Sequence, residues 1–170
     1  MPRRRHSGPP RYTWSPGRGR TAPDVSVSET TPVIRITSKA HFSAAHRLYS
    51  EVHDDDWNQG TFGKCANPFG HGHTYELEVT VEGPIAAETG WVIDFKDLKR
   101  IVSERIIRKC DCRNLNQDVA FLHGVNPTAE NLAVKFWDEL AEAVPAGARL
   151  VRIVLFETER NKAVYMGPGR

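Results

Sequence analysis

Seven histidines and three cysteines are spread over 170 residues, and a few of them stand where spacing suggests joint chemistry. His71-Gly72-His73 puts two imidazoles two residues apart. In an extended segment residues i and i+2 point to the same face, so both rings can reach one ion, with Gly72 leaving room between them. A third imidazole is available from an earlier segment, at His46 or His41. Three neutral imidazoles with an open fourth position describe a catalytic zinc site, able to polarise a substrate oxygen. The plain alternative is a pair of surface or capping histidines. Cys65 lies six residues before His71. A dication and imidazoles nearby would acidify its thiol and let it act as a base; otherwise it is a small buried hydrophobe.

Cys110-Asp111-Cys112 resembles half a metal knuckle, but its spacing is one residue rather than two and there is no second pair. A four-cysteine structural zinc site is excluded by count. Glu157 closes the apolar run Ile153-Val154-Leu155-Phe156. A carboxylate at the end of a buried strand costs desolvation unless something pairs with it, and a ligand with adjacent N–H donors would engage both oxygens. The alternative is a side chain already exposed at the strand end. His6, His53 and His123 lie in tail or loop-like stretches and carry no such pattern.

The elements that must position these residues read as follows. Val33-Ile34-Arg35-Ile36-Thr37 opens a strand-like run continuing through His46, and residues 49–67, rich in Asp, Asn, Gly and Gln, read as a long loop. From His73 to Gly83, Tyr75, Leu77, Val79 and Val81 alternate with polar residues, one dry face and one wet face of an antiparallel sheet. Asp94 caps a helix whose Leu98, Ile101, Val102 and Ile106 repeat at helical spacing to about Lys109. A second helix opens at Asn126-Pro127-Thr128, with either Pro127 in its first turn or Thr128 as cap, and Pro145 stops it. Leu150 to Glu157 is a β-rich run, with Ala163 to Met166 as its hairpin partner. The order β-β-α-α-β-β is an α+β layout, and its strand edges invite pairing between subunits.

Composition agrees: 39% hydrophobic and 26% charged residues suit a soluble globular protein. No apolar run approaches a membrane span. Residues 1–32 read as a solvated, disordered basic tail rich in Pro, Gly and Arg, and 33–170 as the folded domain. Six arginines against Asp24 and Glu29 give residues 1–33 a net +4, which leaves −2 on the remainder of a sequence whose total is +2. Without a basic aromatic stripe in the body, nucleic acid is not an expected partner. No apolar stretch follows the early arginines, so no secretory leader is expected. The odd, small cysteine count points to a reducing cytoplasm.

The combination is specific. Residues Cys65 to Tyr75, C-A-N-P-F-G-H-G-H-T-Y, resemble the C-x5-H-G-H-x-Y signature of the 6-pyruvoyl-tetrahydropterin synthase family. Phe42-Ser43-Ala44-Ala45-His46 resembles the family's first zinc-ligand segment, which selects His46 over His41. Gly90-Trp91-Val92-Ile93-Asp94-Phe95 is similar to its helix entry, and Asp111-Cys112-Arg113-Asn114-Leu115-Asn116 to its D-H-R-N-L-N. Asn126-Pro127-Thr128-Ala129-Glu130-Asn131-Leu132 and Phe156-Glu157-Thr158 resemble its pterin-pocket segments. The resemblance implies a tunnelling fold: a four-stranded antiparallel sheet with two helices on one face, joined edge to edge into an oligomeric barrel. Family members are usually hexamers with active sites at subunit interfaces.

The implied substrate is 7,8-dihydroneopterin triphosphate. Zinc on His46, His71 and His73 would grip its side-chain hydroxyls, Cys65 would be the base, and Glu157, with Thr128 and Glu130, would hold the pterin. The family also includes the 6-carboxytetrahydropterin synthases of queuosine and deazapurine biosynthesis, so that product is an alternative. One departure matters: the family's Asp-His pair is here Asp111-Cys112. An imidazole, ordinarily near pKa 6.5, works both ways at neutral pH, whereas a thiol, ordinarily near 8.5, is a poor substitute. The expected proton relay is therefore altered, and a pterin-binding protein without turnover is a third reading.

Overall fold

The computed structural model describes residues 32–169. Apart from Pro32, the expected basic tail lies outside them. Two long strands form the centre. β1 (Val33–His46) and β2 (His71–Pro84) run antiparallel over fourteen residues each, from Val33 opposite Pro84 to His46 opposite His71. β4 (Arg149–Phe156) continues the sheet on β2, and β5 (Lys162–Tyr165) closes it as a hairpin partner.

The sheet has five strands, not four. β3 (Arg113–Asn114) pairs parallel to the free edge of β1, Ala44 opposite Arg113, giving the order β3-β1-β2-β4-β5. Only its pairing defines it, because two residues carry no periodicity. The expected loop over residues 49–67 also needs correcting, since it contains helix α1 (Asp55–Phe62) and a 3-10 turn, Gly63–Ala66. The residues read as loop formers start the helix instead. Asp54 accepts from the Trp57 N–H at 2.9 Å, and Asp55 and Asp56 fill the first turn, where negative charge suits the helix dipole. Buried Asn58 ties this helix to the preceding loop, donating to the carbonyls of Ser50, His53 and Asp54.

The expected helices cover one face. α2 (Phe95–Val102) starts at Asp94, whose carboxylate accepts from the Lys96 N–H. It runs through a π-helical turn, Ser103–Ile107, into α3 (Arg108–Cys110). α4 (Ala129–Ala141) is capped by Thr128, which resolves the choice between Thr128 and Pro127. Leu98, Ile106, Leu132, Phe136 and Leu140 from these helices meet Tyr75, Leu77, Val79, Ile153 and Leu155 from the sheet in one core. Phe42 stacks on Tyr75 at 4.9 Å and meets Phe136 edge-on at 5.9 Å. On the opposite sheet face the alternate residues are polar and paired. Thr37 bonds Thr80, Lys39 bridges Glu76 and Glu78, and Glu82 lies between Arg35 and Arg149.

Candidate metal centre and active site

Strand parity brings the histidines together. Cα partners in an antiparallel ladder share a face, so His46, opposite His71, projects with it, and His73 lies two residues further along β2. One ring nitrogen from each of the three comes within 4.8 Å of the others. His41 is an odd number of residues from His46 and falls on the polar face, where it meets Glu76 at 3.0 Å. Gly72 is on that face too: a Cβ there would meet the Ala44 carbonyl at 3.4 Å, so its small size does not make room for an ion. The tight glycine is Gly70. Its φ is 67°, and a Cβ would lie 2.5 Å from the His46 carbonyl oxygen.

The donor set fits a dication. His46 is fully buried, and its Nδ1 lies 2.8 Å from the Pro127 carbonyl oxygen. A carbonyl can only accept, so Nδ1 carries the proton and Nε2 presents its lone pair, 3.2 Å from His71 Nε2. His73 Nε2 and His71 Nδ1 are buried without a hydrogen-bond partner, a costly state that an ion at the rings relieves in the case of His73 Nε2. Burial lowers the pKa of His46 and of His73 below the usual imidazole value, keeping both neutral, as metal ligation requires.

Glu157 stands at the rim, its Oε1 3.7 Å from His46 Nε2 and 4.0 Å from His73 Nε2. Cys65, in the 3-10 turn, is near enough to feel it. Burial first, and then the Glu157 carboxylate, push this thiol above its ordinary value, opposite to the direction expected of a base. A cation on the imidazoles acts in the other sense. Thr128 spends its hydroxyl as the α4 cap, 3.3 Å from the Asn131 N–H, and Glu130 is exposed in the first turn. Asp111 and Cys112 lie where β3 joins the edge of β1, and Cys112 lines an open cleft together with His73. Asp111 Oδ1 accepts from the Ser43 N–H at 2.9 Å, and the Cys112 N–H donates to the Ser43 carbonyl at 2.6 Å. Among the described residues neither makes a hydrogen bond to the histidines, Cys65 or Glu157. Cys112, at φ 56°, is the one described non-glycine residue in the left-handed region.

Two members of this site were not expected from sequence. The Pro127 carbonyl orients His46, and Tyr75 brings its hydroxyl to 3.3 Å from His46 Nδ1, with its ring 5.6 Å from that of His73. The signals were present in the Asn126-Pro127 helix entry and in the i, i+2, i+4 series His71, His73, Tyr75.

The sequence profile described as 6-pyruvoyl tetrahydropterin synthase matches residues 35–168. The chain belongs to this family. A 6-pyruvoyl tetrahydrobiopterin synthase from Pongo abelii is 44% identical over 133 residues, 78% of this chain and 91% of that protein. The structure of the Caenorhabditis elegans 6-pyruvoyl tetrahydropterin synthase superposes with a TM-score of 0.76 at 36% identity, covering 81% of this chain and 97% of that one. A more distant relative, a dihydroneopterin monophosphate aldolase from Pyrococcus furiosus, is 35% identical over 72% of this chain and 89% of its own length. As a family member the protein is a lyase with an α+β tunnelling-fold domain, and no helix of its described residues is long and apolar enough to cross a membrane.

Proposed function

We propose that this protein is a zinc-dependent lyase acting on 7,8-dihydroneopterin triphosphate, a soluble cytoplasmic enzyme that works as a homohexamer. The observation that carries the reading is the convergence of three buried-edge imidazoles beside Glu157 in a member of this family. Zinc held by His46, His71 and His73 would supply Lewis-acid polarisation of the substrate's side-chain hydroxyls. Glu157 receives the pterin's 2-amino and N3–H groups, and its two acceptor oxygens match that paired donor edge. Thr128 and Glu130, at the entry of α4, border the ring. Cys65 takes a proton from a carbon of the substrate's side chain, and the electron pair left behind expels the triphosphate as the C–O bond breaks. Further proton shifts give the pyruvoyl product.

Asp111 and Cys112 act as the proton relay in this scheme. Their position at the β1 edge, without a bond to the histidines of the same subunit, supports completion of the site by a neighbouring copy. In a second reading a C–C bond of the substrate's side chain is cleaved, giving an aldolase-type or 6-carboxy product. It draws support from the 35% identity to the monophosphate aldolase and from the missing imidazole at position 112. The test is incubation of the zinc-loaded protein with 7,8-dihydroneopterin triphosphate and mass spectrometry of the products. A 6-pyruvoyl product with free triphosphate is expected; a shortened side chain selects the second reading, and an unchanged substrate refutes both.

A further inference from the structure

Outside the histidine site, three cations of the described residues gather where the helical rod ends. Arg108 and Lys109 occupy α3. The left-handed Cys112 then turns the backbone so that Arg113 returns beside β1, opposite Ala44. The three cations thereby share a cleft of about 500 Å³, lined also by Asp118, Val119 and Phe121. Lys109 is steadied by Glu139 at 2.7 Å and by the Phe121 ring at 5.3 Å. Asp118 turns its carboxylate to the Asn114 N–H at 2.8 Å. Arg108 and Arg113 form no ion pair among the described residues. Arg113 also lines a second open cleft, of about 550 Å³, together with His73, Thr74 and Cys112. It therefore links the strand that carries His73 to the basic cleft.

Cations at a helix C-terminus compensate its dipole, which accounts for Arg108 and Lys109 without any ligand. It does not account for Arg113, which lies beyond the helix on a strand. Guanidinium groups present planar N–H forks that match phosphate oxygens two at a time. We propose that Arg108, Lys109 and Arg113 form an oligophosphate subsite that holds the anionic tail of the substrate while the pterin end engages a histidine site; this rests on the substrate class proposed above.

The test uses zinc-loaded, full-length protein titrated calorimetrically with inorganic tripolyphosphate and, separately, orthophosphate. Wild type is expected to bind tripolyphosphate the more tightly. Arg108→Gln and Arg113→Gln should each weaken that binding roughly tenfold, as loss of a charge-assisted hydrogen bond does, and flatten its salt dependence. Arg113→Lys, which keeps the charge, should recover part of the loss and so separates it from misfolding. In turnover, the Gln variants should raise KM for the pterin triphosphate and leave binding of the dephosphorylated pterin unchanged. Equal tripolyphosphate affinity in wild type and in Arg108→Gln/Arg113→Gln overturns the proposal. Tripolyphosphate binding that depends on both arginines, in a protein that leaves the pterin triphosphate unreacted, upholds the subsite and removes the reaction instead.

Discussion

Glu157→Gln separates two roles that the geometry allows for this carboxylate. The side chain is 24% exposed, with Oε1 3.7 Å from His46 Nε2 and 4.0 Å from His73 Nε2. The substitution keeps shape and one oxygen but removes the charge and turns a donor toward the pterin's N–H edge. If Glu157 anchors the pterin, the loss is that of a charged hydrogen bond, about 1.5–3 kcal/mol. That is roughly 10- to 150-fold in Kd at about 1.4 kcal/mol per decade. If instead it ligates the ion, the lost attraction is larger. Unit charges 4 Å apart at an effective dielectric of about 20 attract by about 4 kcal/mol, and a dication more. The assay is titration of the zinc-loaded variant with a non-reactive pterin, with elemental zinc measured in the same sample. Weakened pterin binding at unchanged zinc content is the expected result. Unchanged affinity refutes the anchoring role, and zinc loss assigns the residue to the metal. The Cys65 thiol, which burial and then this carboxylate hold up, should also fall toward its ordinary value in the variant.

Three further outcomes follow from the same geometry. In chelator-treated protein, His46 and His73 have folded pKa values lowered by burial, whereas the unfolded imidazoles titrate near 6.5. The unfolded state therefore binds more protons as pH falls, and thermal unfolding should show Tm dropping from about pH 6.5 downward; a flat Tm from pH 7.5 to 5 contradicts this. Gly70→Ala meets both a left-handed φ and the His46 carbonyl, and should cost about 1–3 kcal/mol, visible as a Tm lower by several degrees and as weaker zinc retention. Cys112→His suits a left-handed position, where histidine is enriched, and should raise the rate of the pyruvoyl-forming reaction by up to about 10²–10⁴-fold at neutral pH without changing zinc content; equal rates at every pH would remove the proton relay from position 112.

The long central strand was legible because one of its faces is apolar and the other polar: Tyr75, Leu77, Val79 and Val81 alternate with Thr74, Glu76, Glu78, Thr80 and Glu82, although the polar face is less wet than expected, with Thr80 and Glu82 themselves buried. α1 was not, because its eight residues have no apolar stripe and bury only Asn58, so its start signals, Asp54 to Asp56, passed for loop composition. β3 exists only through its pairing with Ala44 and Ala45, a contact between residues almost seventy positions apart. His71 and His73 could be paired from parity alone, whereas choosing His46 over His41 needed either the register with β2 or the family resemblance. The half-knuckle Cys110-Asp111-Cys112 dissolves in three dimensions. Cys110 is buried in the core, where burial pushes its thiol up to about 12, while Cys112 is exposed.

The proposed metal centre is the open end of the core. Along one face of β2 the side chains run His71, His73, Tyr75, Leu77, Val79 and Val81, so the two imidazoles continue the same alternation that buries the apolar residues. Tyr75 is the joint between the two regimes. Its ring packs flat on Phe42 in the core and lies 6.2 Å from the His46 ring, while burial holds its hydroxyl protonated. The opposite imidazole, His46, is fixed by a carbonyl at the residue before the α4 cap. Each imidazole therefore takes its position from an element whose own position is set by core packing, so the arrangement that the proposed zinc would need is held by the fold itself. A core substitution such as Phe136→Ala, expected to cost about 3–5 kcal/mol, should then loosen zinc binding although Phe136 is not a ligand, because it unseats Phe42 and with it Tyr75. Zinc affinity equal to wild type in a folded Phe136→Ala protein would show that the three strand-borne imidazoles are positioned by the β1–β2 ladder alone.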